Sequence, residues 1–302
     1  MLRLVRFHVP GKGVRIGSVQ GDSVVDLTAI DARLFSSIPG IIKVAGAMGV
    51  SVDTLVQDII SGLDTDPYEY AALDRAANGS EPHLMLPYRP PEVWGCGITY
   101  ERSRKAREGE TVIKGAYDLV YEAERPEIFF KATGDRCVGP NEAIAVRGDS
   151  KSTVPESELA FVVGRGPSII GYMVGNDVTA RDIEGENPLY LPQAKIYAAC
   201  CALGPAFVSA ESIPNPRNLA VKCRILREGR TVFEGETSTS RLKRSLEELL
   251  SFLCRDNPIP VGSVCLTGTG IVPPVEFTLR DGDLVEIEIE GLGVLRNPVR
   301  QL

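Results

Sequence analysis

Histidine is scarce in this chain of 302 residues, which contains only His8 and His83, both in its first third. A catalytic cysteine needs a base close by, and histidine commonly supplies it, so cysteine–histidine catalysis is not expected. The seven cysteines show no C-x-x-C spacing and lie mostly in apolar surroundings. Buried, reduced thiols are therefore predicted, which suits a cytoplasmic protein.

Excess positive charge and long apolar runs are also missing. Lys and Arg number 33 against 40 Asp and Glu, and the net charge of −7 argues against a nucleic-acid partner. No run approaches the roughly 20 apolar residues of a membrane span. The first eight residues are too punctuated by charge for a signal peptide. We therefore expect a globular protein with neither a membrane nor a nucleic acid as partner.

Strand, turn and proline signals divide the chain into two parts. Segments 14–19 and 23–27 alternate around a Gln-Gly-Asp turn, which predicts a β-hairpin, and 52–60 has the pattern of an amphipathic helix. Prolines clustered between 82 and 91 mark a linker. We predict a small, β-rich N-terminal α+β domain at 1–87 and a larger domain at 88–302.

The larger part is predicted to be dominated by strands. Segment 93–97 is an apolar, glycine-rich strand, and 281–290 is a turn followed by a strand with one wet face. Two helices are expected. One covers 100–123, with a highly charged first half, and the other covers 240–253, with a stripe of leucines.

Three acidic residues form the most informative pattern. Glu156 and Glu158 are two apart beside an apolar, partly β-branched segment, so a strand would send both carboxylates to one face. Asp177 follows a second predicted strand, 168–175. Such a set, with no His or Cys close in sequence, suits a hard cation: Mg²⁺ first, with Mn²⁺ or Ca²⁺ as substitutes. The alternative for the Glu-x-Glu pair is a solvated strand face.

Eight segments in the same order resemble the fumarylacetoacetate hydrolase superfamily; they are 94–100, 125–131, 156–160, 171–182, 193–195, 203–205, 267–269 and 281–283. Each motif alone is weak, but the ordered set is specific. The resemblance implies an α+β fold in which the catalytic domain is a mixed β-roll. It also implies a divalent metal on Glu156, Glu158 and Asp177, with Lys195 facing the same pocket.

Further strings are similar to the branch of the superfamily that dehydrates 2-keto-3-deoxy-D-arabinonate; they are 91–95, 125–133, 136–139, 184–193, 195–202, 255–260 and 267–269. Hydrolases of the superfamily carry Asn-Tyr-x-x-His in a mobile lid, and this chain has Ser103 in place of that histidine. Because the water-activating base is missing, the resemblance favours a lyase acting on a small 2-keto acid. The alternatives are a C–C bond hydrolase of an acylpyruvate or diketo acid, and a non-catalytic acid-binding protein.

The implied reaction converts 2-keto-3-deoxy-D-arabinonate to 2,5-dioxopentanoate. It needs a base at C3 and an acid at the C4 hydroxyl, and the candidates are Lys195 and Glu127. A lysine in an apolar pocket near a metal can act as a base, yet the roles can also be reversed, and the sequence leaves this open. The non-catalytic alternatives are a structural ion pair for Lys195 and a helix-end or strand-edge carboxylate for Glu127.

Four further residues are expected to contact the substrate. Thr269 and Gly268 would bind its carboxylate through a hydroxyl and backbone N–H groups, the alternative being an ordinary turn. Tyr100 and Glu101, at the hinge of the lid, would reach its terminal hydroxyls, the alternative being a solvated helix start. The habit of the superfamily adds the expectation of a homodimer or homotetramer.

Overall fold

The computed structural model describes residues 1–61, 66–110 and 115–302. Numbered in chain order, its strands are β1 (Arg3–Val9), β2 (Gly13–Gln20), β3 (Ser23–Asp26), β4 (Tyr68–Glu69), β5 (His83–Met85), β6 (Val93–Gly97), β7 (Glu127–Ala132), β8 (Cys137–Val138), β9 (Ile144–Val146), β10 (Thr153–Val154), β11 (Ser157–Val163), β12 (Ile169–Asp177), β13 (Thr179–Ala180), β14 (Cys201–Ser209), β15 (Ala220–Arg227), β16 (Arg230–Ser238), β17 (Val264–Leu266), β18 (Leu284–Ile289) and β19 (Gly293–Gln301). Its helices are α1 (Leu27–Ile30), α2 (Ile38–Met48), α3 (Val52–Ile60), α4 (Tyr70–Leu73), α5 (Glu101–Glu110), α6 (Ala116–Glu122), α7 (Arg181–Glu186), α8 (Leu191–Lys195) and α9 (Leu246–Leu253).

Two sheets form the frame of the molecule. The larger has the order β4-β3-β2-β1-β14-β12-β11-β17-β6-β7, with β5 added to β1 and β8 added to β14. The smaller has the order β16-β15-β18-β19-β9, and β10 pairs separately with β13. Most pairs are antiparallel, but β17–β6, β14–β8 and β19–β9 are parallel. The predicted α+β class with mixed sheets is confirmed.

The main core lies where the two sheets meet. Phe161 of β11 and Val174 of β12, from the larger sheet, share one buried cluster with Ile225 of β15 and Ile287 of β18, from the smaller sheet. Helix α9 adds its leucine stripe to this cluster through Leu246, Leu249, Leu250 and Leu253. Burial of these apolar side chains fixes the faces of β11 and β12, and with them the directions of the polar residues at the strand ends.

The N-terminal strands continue the larger sheet. Strand β1 pairs with β14 through Leu4 and Phe207, and both side chains belong to a buried cluster that also contains Tyr88 and Leu266. The predicted hairpin is present as β2 and β3, and the predicted helix at 52–60 is α3. The division of the chain at residue 88 stays a prediction, since residues on both sides of it share a sheet and a core.

Helix α9 is shorter than the predicted helix at 240–253. The side chain of Ser245 accepts a hydrogen bond from the backbone N–H of Glu248 at 3.0 Å, so this serine caps the helix and Leu246 is its first residue. Upstream of the cap lies a short 3₁₀ turn, Thr239–Arg241. Leu242 is nevertheless buried, which explains why the apolar pattern extends beyond the helix.

The predicted helix at 100–123 is two helices, α5 and α6. Gly115 precedes α6 in the left-handed region, with φ of 81°, a conformation that a continuing right-handed helix does not contain. Residues 111–114 of the predicted helix lie outside the described residues. The expectation of a charged first half is met in α5, which begins with the exposed Glu101.

Two expectations from composition can be compared with the fold. All seven cysteines are free; six are buried and Cys254 is partly buried, which confirms the predicted thiols. In the described part of the chain, no single helix has the length and apolar character needed to cross a bilayer. Among the described helices, α2 and α3 taken together, bent by 101°, are the one pair that meets those two criteria.

Candidate active site

Strands β11 and β12 bring the three predicted metal ligands together. Glu156 directly precedes β11, Glu158 is its second residue and Asp177 ends β12. The antiparallel register places Asp177 beside Glu156, and the backbone N–H of Asp177 donates to the carbonyl of Glu156 at 3.0 Å. One carboxylate oxygen from each of the three acids lies within 4.8 Å of the others. The convergence predicted from the sequence is present.

The acidic triad of Glu156, Glu158 and Asp177 has the properties of a site for a hard cation. All three side chains are buried, and the residues are 8%, 2% and 1% exposed. Burial raises the pKa of Glu158 well above its ordinary value, and the charges of Asp177 and Glu156 raise this pKa further. Only carboxylate oxygens converge, without nitrogen or sulfur donors in the triad, so these residues fit Mg²⁺.

Lys195 lies in the same site. It ends helix α8 and is 3% exposed. Its Nζ donates to Glu156 Oε2 at 2.8 Å, to Asp177 Oδ2 at 2.9 Å and to Thr179 Oγ1 at 2.7 Å. The ring of Phe129 lies 5.3 Å from the same nitrogen. The amine predicted to face the metal pocket therefore touches two of the three predicted ligands.

Strand β7 presents a row of site residues at a period of two. Glu127, Phe129 and Lys131 alternate along the strand and so share one face. Glu127 is paired with Gly97 of β6, where a Cβ atom would stand 2.0 Å from Glu127 Oε2. Only glycine at 97 leaves room for the carboxylate in this position. Phe129 contacts Lys195, and Lys131 reaches Asp177.

Lys131 is fully buried and its charge is retained. Its Nζ lies 2.5 Å from Asp177 Oδ1 and donates to the carbonyl oxygens of Val178, at 2.9 Å, and of Lys195, at 2.6 Å. Burial is the largest influence and lowers the pKa of Lys131, but the charge of Asp177 together with smaller contributions from Cys200 and Cys201 raises the pKa above its ordinary value. The ammonium is thus a permanent part of the site.

These residues surround a cavity of about 140 Å³, a size suited to a small organic acid. Five of the predicted site residues line it: Glu127, Glu156, Lys195, Gly268 and Thr269. One predicted metal ligand, the two catalytic candidates and the turn after β17 therefore face the same cavity.

The turn at 267–269 is anchored to the triad. The backbone N–H of Gly268 donates to Glu158 Oε2 at 2.5 Å, and the hydroxyl of Thr269 accepts from the backbone N–H of Ile271 at 3.1 Å. Gly268 has φ of +89°, and a Cβ there would meet Thr99 Oγ1 at 2.0 Å, so this position requires glycine. Both residues line the cavity, and their contact with a substrate carboxylate stays a prediction.

Tyr100 and Glu101 lie at the start of α5. Tyr100 is buried, and burial together with the charge of Glu158 raises the pKa of its phenol. Glu101 is exposed and pairs with Lys105 at 2.7 Å. Neither is among the described residues that line the cavity. Their contact with the terminal hydroxyls of a substrate stays a prediction.

Three site residues were not assigned a role from the sequence. Lys131 ends the segment 125–131 that carries the resemblance, but only the observed strand β7 shows its relation to Glu127. Glu184 of α7, 7% exposed, lines the cavity, but a short irregular helix offers no periodic signal for it. Thr179 contacts Lys195 across the site, a relation that depends on tertiary structure alone.

The comparisons with known proteins agree with this geometry. Residues 106–300 match the domain described as "Fumarylacetoacetate (FAA) hydrolase C-terminal". The chain belongs to the fumarylacetoacetate hydrolase family.

Particular members of the family are more similar still. The chain is 48% identical over 248 residues to 2-dehydro-3-deoxy-D-arabinonate dehydratase of Saccharolobus solfataricus, covering 81% of this chain and 82% of that protein. It is 44% identical over 285 residues to a probable 2-keto-3-deoxyxylonate dehydratase of Haloferax volcanii, covering 94% and 95%. A solved structure of 2-keto-3-deoxy-D-arabinonate dehydratase complexed with magnesium and 2,5-dioxopentanoate has a TM-score of 0.80 at 40% identity, covering 99% of both chains.

Proposed function

We propose that this protein is a Mg²⁺-dependent hydro-lyase that converts 2-keto-3-deoxy-D-arabinonate to 2,5-dioxopentanoate. One observation carries the proposal: three buried carboxylates converge beside Lys195, and Lys195 and Glu156 line a single small cavity. The similarity at 48% identity to an enzyme named for this dehydration supports the choice of substrate. The reaction belongs to the breakdown of acids derived from pentoses.

The metal would be held by Glu156, Glu158 and Asp177. Bound Mg²⁺ would supply Lewis-acid stabilisation of the negative charge that develops on the 2-keto oxygen of the substrate. Mn²⁺ and Ca²⁺ take the same oxygen donors and are the expected substitutes. The solved structure of a relative with magnesium supports this choice of metal.

Lys195 and Glu127 would move the protons. One removes a proton from C3 and the other protonates the C4 hydroxyl as it leaves, so that the substrate loses one water and gains a C3–C4 double bond. Transfer of a proton from C5 to C3 then gives an enol with a C4–C5 double bond, and movement of the C5 hydroxyl proton to C4 gives the 2,5-dioxo acid. Both side chains line the cavity.

The residue at the lid position favours elimination over hydrolysis. Ser103 of α5 lines the cavity and is 8% exposed. A serine hydroxyl does not replace histidine as a base for activating water. His8 and His83 pair with each other across β1 and β5 and are not among the described residues lining the cavity. No observation therefore favours the C–C bond hydrolase.

Two further parts of the proposal concern the setting of the enzyme. A cytoplasmic location is supported by the seven free cysteines, which suit a reducing compartment. A homodimer or homotetramer is expected from the habit of the family. Light scattering on the purified protein measures the mass of the assembly, and a mass near 32.6 kDa would mean a monomer and refute that expectation.

The test of the proposed function is the identity of the product. Purified protein is mixed with 2-keto-3-deoxy-D-arabinonate and Mg²⁺, and the reaction is followed by carbon NMR. We expect 2,5-dioxopentanoate without pyruvate, and no reaction after chelation. Glu234→Gln, an exposed change on β16, is the matched control for Glu158→Gln, which should be inactive. Pyruvate as product would indicate C–C cleavage, and no turnover would indicate a binding protein.

A further inference from the structure

Lys131 joins three parts of the site that are far apart in the sequence. From strand β7 its ammonium contacts Asp177 Oδ1, the carbonyl oxygen of Val178 and the carbonyl oxygen of Lys195. The first two belong to the end of β12 and the residue after it. The third is the last residue of α8. The contacts with the two carbonyl oxygens are hydrogen bonds, and the contact with Asp177 is an ion pair.

The geometry points to Lys131 as a positioning residue that fixes Asp177 for the metal and Lys195 for proton transfer. This inference rests on the proposed function of the same site. Lys131 holds Oδ1 of Asp177 by an ion pair. The other oxygen, Oδ2, accepts a hydrogen bond from Lys195 Nζ. The contact with the Lys195 carbonyl holds the backbone from which the catalytic candidate extends.

The surroundings of Lys131 make this arrangement rigid. Its side chain is 0% exposed, so no water can replace a lost contact without a change of packing. The ring of Tyr197 lies 5.9 Å from Nζ, and the Tyr197 hydroxyl donates to the same Val178 carbonyl at 3.3 Å. Partners that orient metal ligands typically alter metal affinity or activity by about 10- to 100-fold when they are removed.

The first test replaces the ammonium and keeps the stem. Lys131→Met retains an unbranched side chain of similar length, and Lys222→Met makes the same change at an exposed position of β15. Calorimetric titration of the resting protein with Mg²⁺ should give a Kd raised by about 10- to 100-fold for Lys131→Met. At saturating Mg²⁺ its kcat should fall by a similar factor, with KM little changed. Lys222→Met should match the wild type.

A second variant separates position from charge. Lys131→Arg keeps the positive charge, but a planar guanidinium cannot direct single donors to the same three acceptors from this buried stem. We expect kcat to remain low in Lys131→Arg. Recovery of wild-type kcat and Kd would show that charge alone suffices and would overturn the inference. So would tighter or unchanged Mg²⁺ binding by a folded Lys131→Met.

A double variant keeps the inference testable if Lys131→Met does not fold. Lys131→Met combined with Asp177→Asn removes both members of the buried pair, and denaturant unfolding is measured on metal-free protein. We expect the double variant to be at least as stable as Asp177→Asn alone, because that single change leaves the Lys131 ammonium buried beside a neutral amide. A further loss of stability in the double variant would show that Lys131 does not act through Asp177. Failure of the wild type to bind Mg²⁺ would instead refute the proposed function.

Discussion

At the scale of single residues, the chemistry is concentrated on side chains that alternate along strands. Glu127, Phe129 and Lys131 share one face of β7, and Glu156 and Glu158 are spaced in the same way at the start of β11. A period of two is a local property, so it can be read from the sequence. The partners of these residues come from other elements, so they cannot be read from the sequence.

Glu127→Gln should separate proton transfer from metal binding. The amide keeps the size of the side chain but neither donates nor accepts a proton as the carboxyl group does, so kcat should fall by about 10²- to 10⁴-fold. The Mg²⁺ affinity should be unchanged, because Glu127 is not part of the triad. Steady-state kinetics and calorimetry check the two values. A variant with wild-type kcat would remove Glu127 from the mechanism.

Glu158→Gln should lose Mg²⁺ binding while making the metal-free protein more stable at alkaline pH. The pKa of Glu158 is raised on folding by burial and by two neighbouring carboxylates. A group whose pKa is higher in the folded protein contributes stability at pH values below its pKa in the unfolded chain. That contribution is lost as the pH rises through the pKa of the folded protein. The neutral amide avoids that loss, and its side-chain oxygen can still accept from Gly268.

Thermal unfolding of both proteins in a chelator, between pH 5 and 9, measures the difference. The midpoint of Glu158→Gln should exceed that of the wild type increasingly toward high pH. A constant difference across the range would mean that ionisation of Glu158 does not govern the stability of the metal-free protein.

At the scale of secondary-structure elements, the sequence predicted whether a segment is a helix or a strand better than it predicted where the element begins and ends. The hairpin of β2 and β3, helix α3 and the strands carrying the triad were all expected from alternation and turn residues. Helix α9 was placed too early because Leu242 continues the apolar pattern although it precedes the cap. An apolar pattern reports burial, and burial extends beyond the hydrogen-bonded helix.

The cap of α9 is testable by one substitution. Ser245→Ala removes the oxygen that accepts from the N–H of Glu248, and the free energy of unfolding should fall by about 1 kcal/mol. Ser251→Ala, at an exposed position inside the same helix, should be neutral or slightly stabilising because alanine is the better helix former. Urea denaturation of both variants gives the comparison. Equal stability of the two variants would mean that Ser245 does not cap α9 and that the helix begins at another residue.

At the scale of the whole molecule, the arrangement of the strands depends on pairing between distant parts of the chain, which the sequence alone did not predict. Strand β1 lies beside β14 although Leu4 and Phe207 are far apart in the chain, and no local pattern encodes that partnership. The family resemblance supplied the position of the triad and of Lys195. It did not supply the continuity of the N-terminal strands with the sheet that carries the site.

A shared sheet and core predict that the chain unfolds as one unit. Trp94 is the single tryptophan and lies in β6, so its fluorescence reports on the part after residue 88. Far-UV circular dichroism reports on both parts. The two denaturant transitions should coincide. A separate, earlier transition seen by dichroism alone would support an independent N-terminal domain at 1–87.

The most direct test of the account is the location of the metal. Crystals grown with Mn²⁺ in place of Mg²⁺ give an anomalous signal that marks the ion. We predict one strong peak roughly 2.0–2.4 Å from carboxylate oxygens of Glu156, Glu158 and Asp177. A peak elsewhere, or none among these oxygens at Mn²⁺ concentrations that support turnover, would contradict the proposed site.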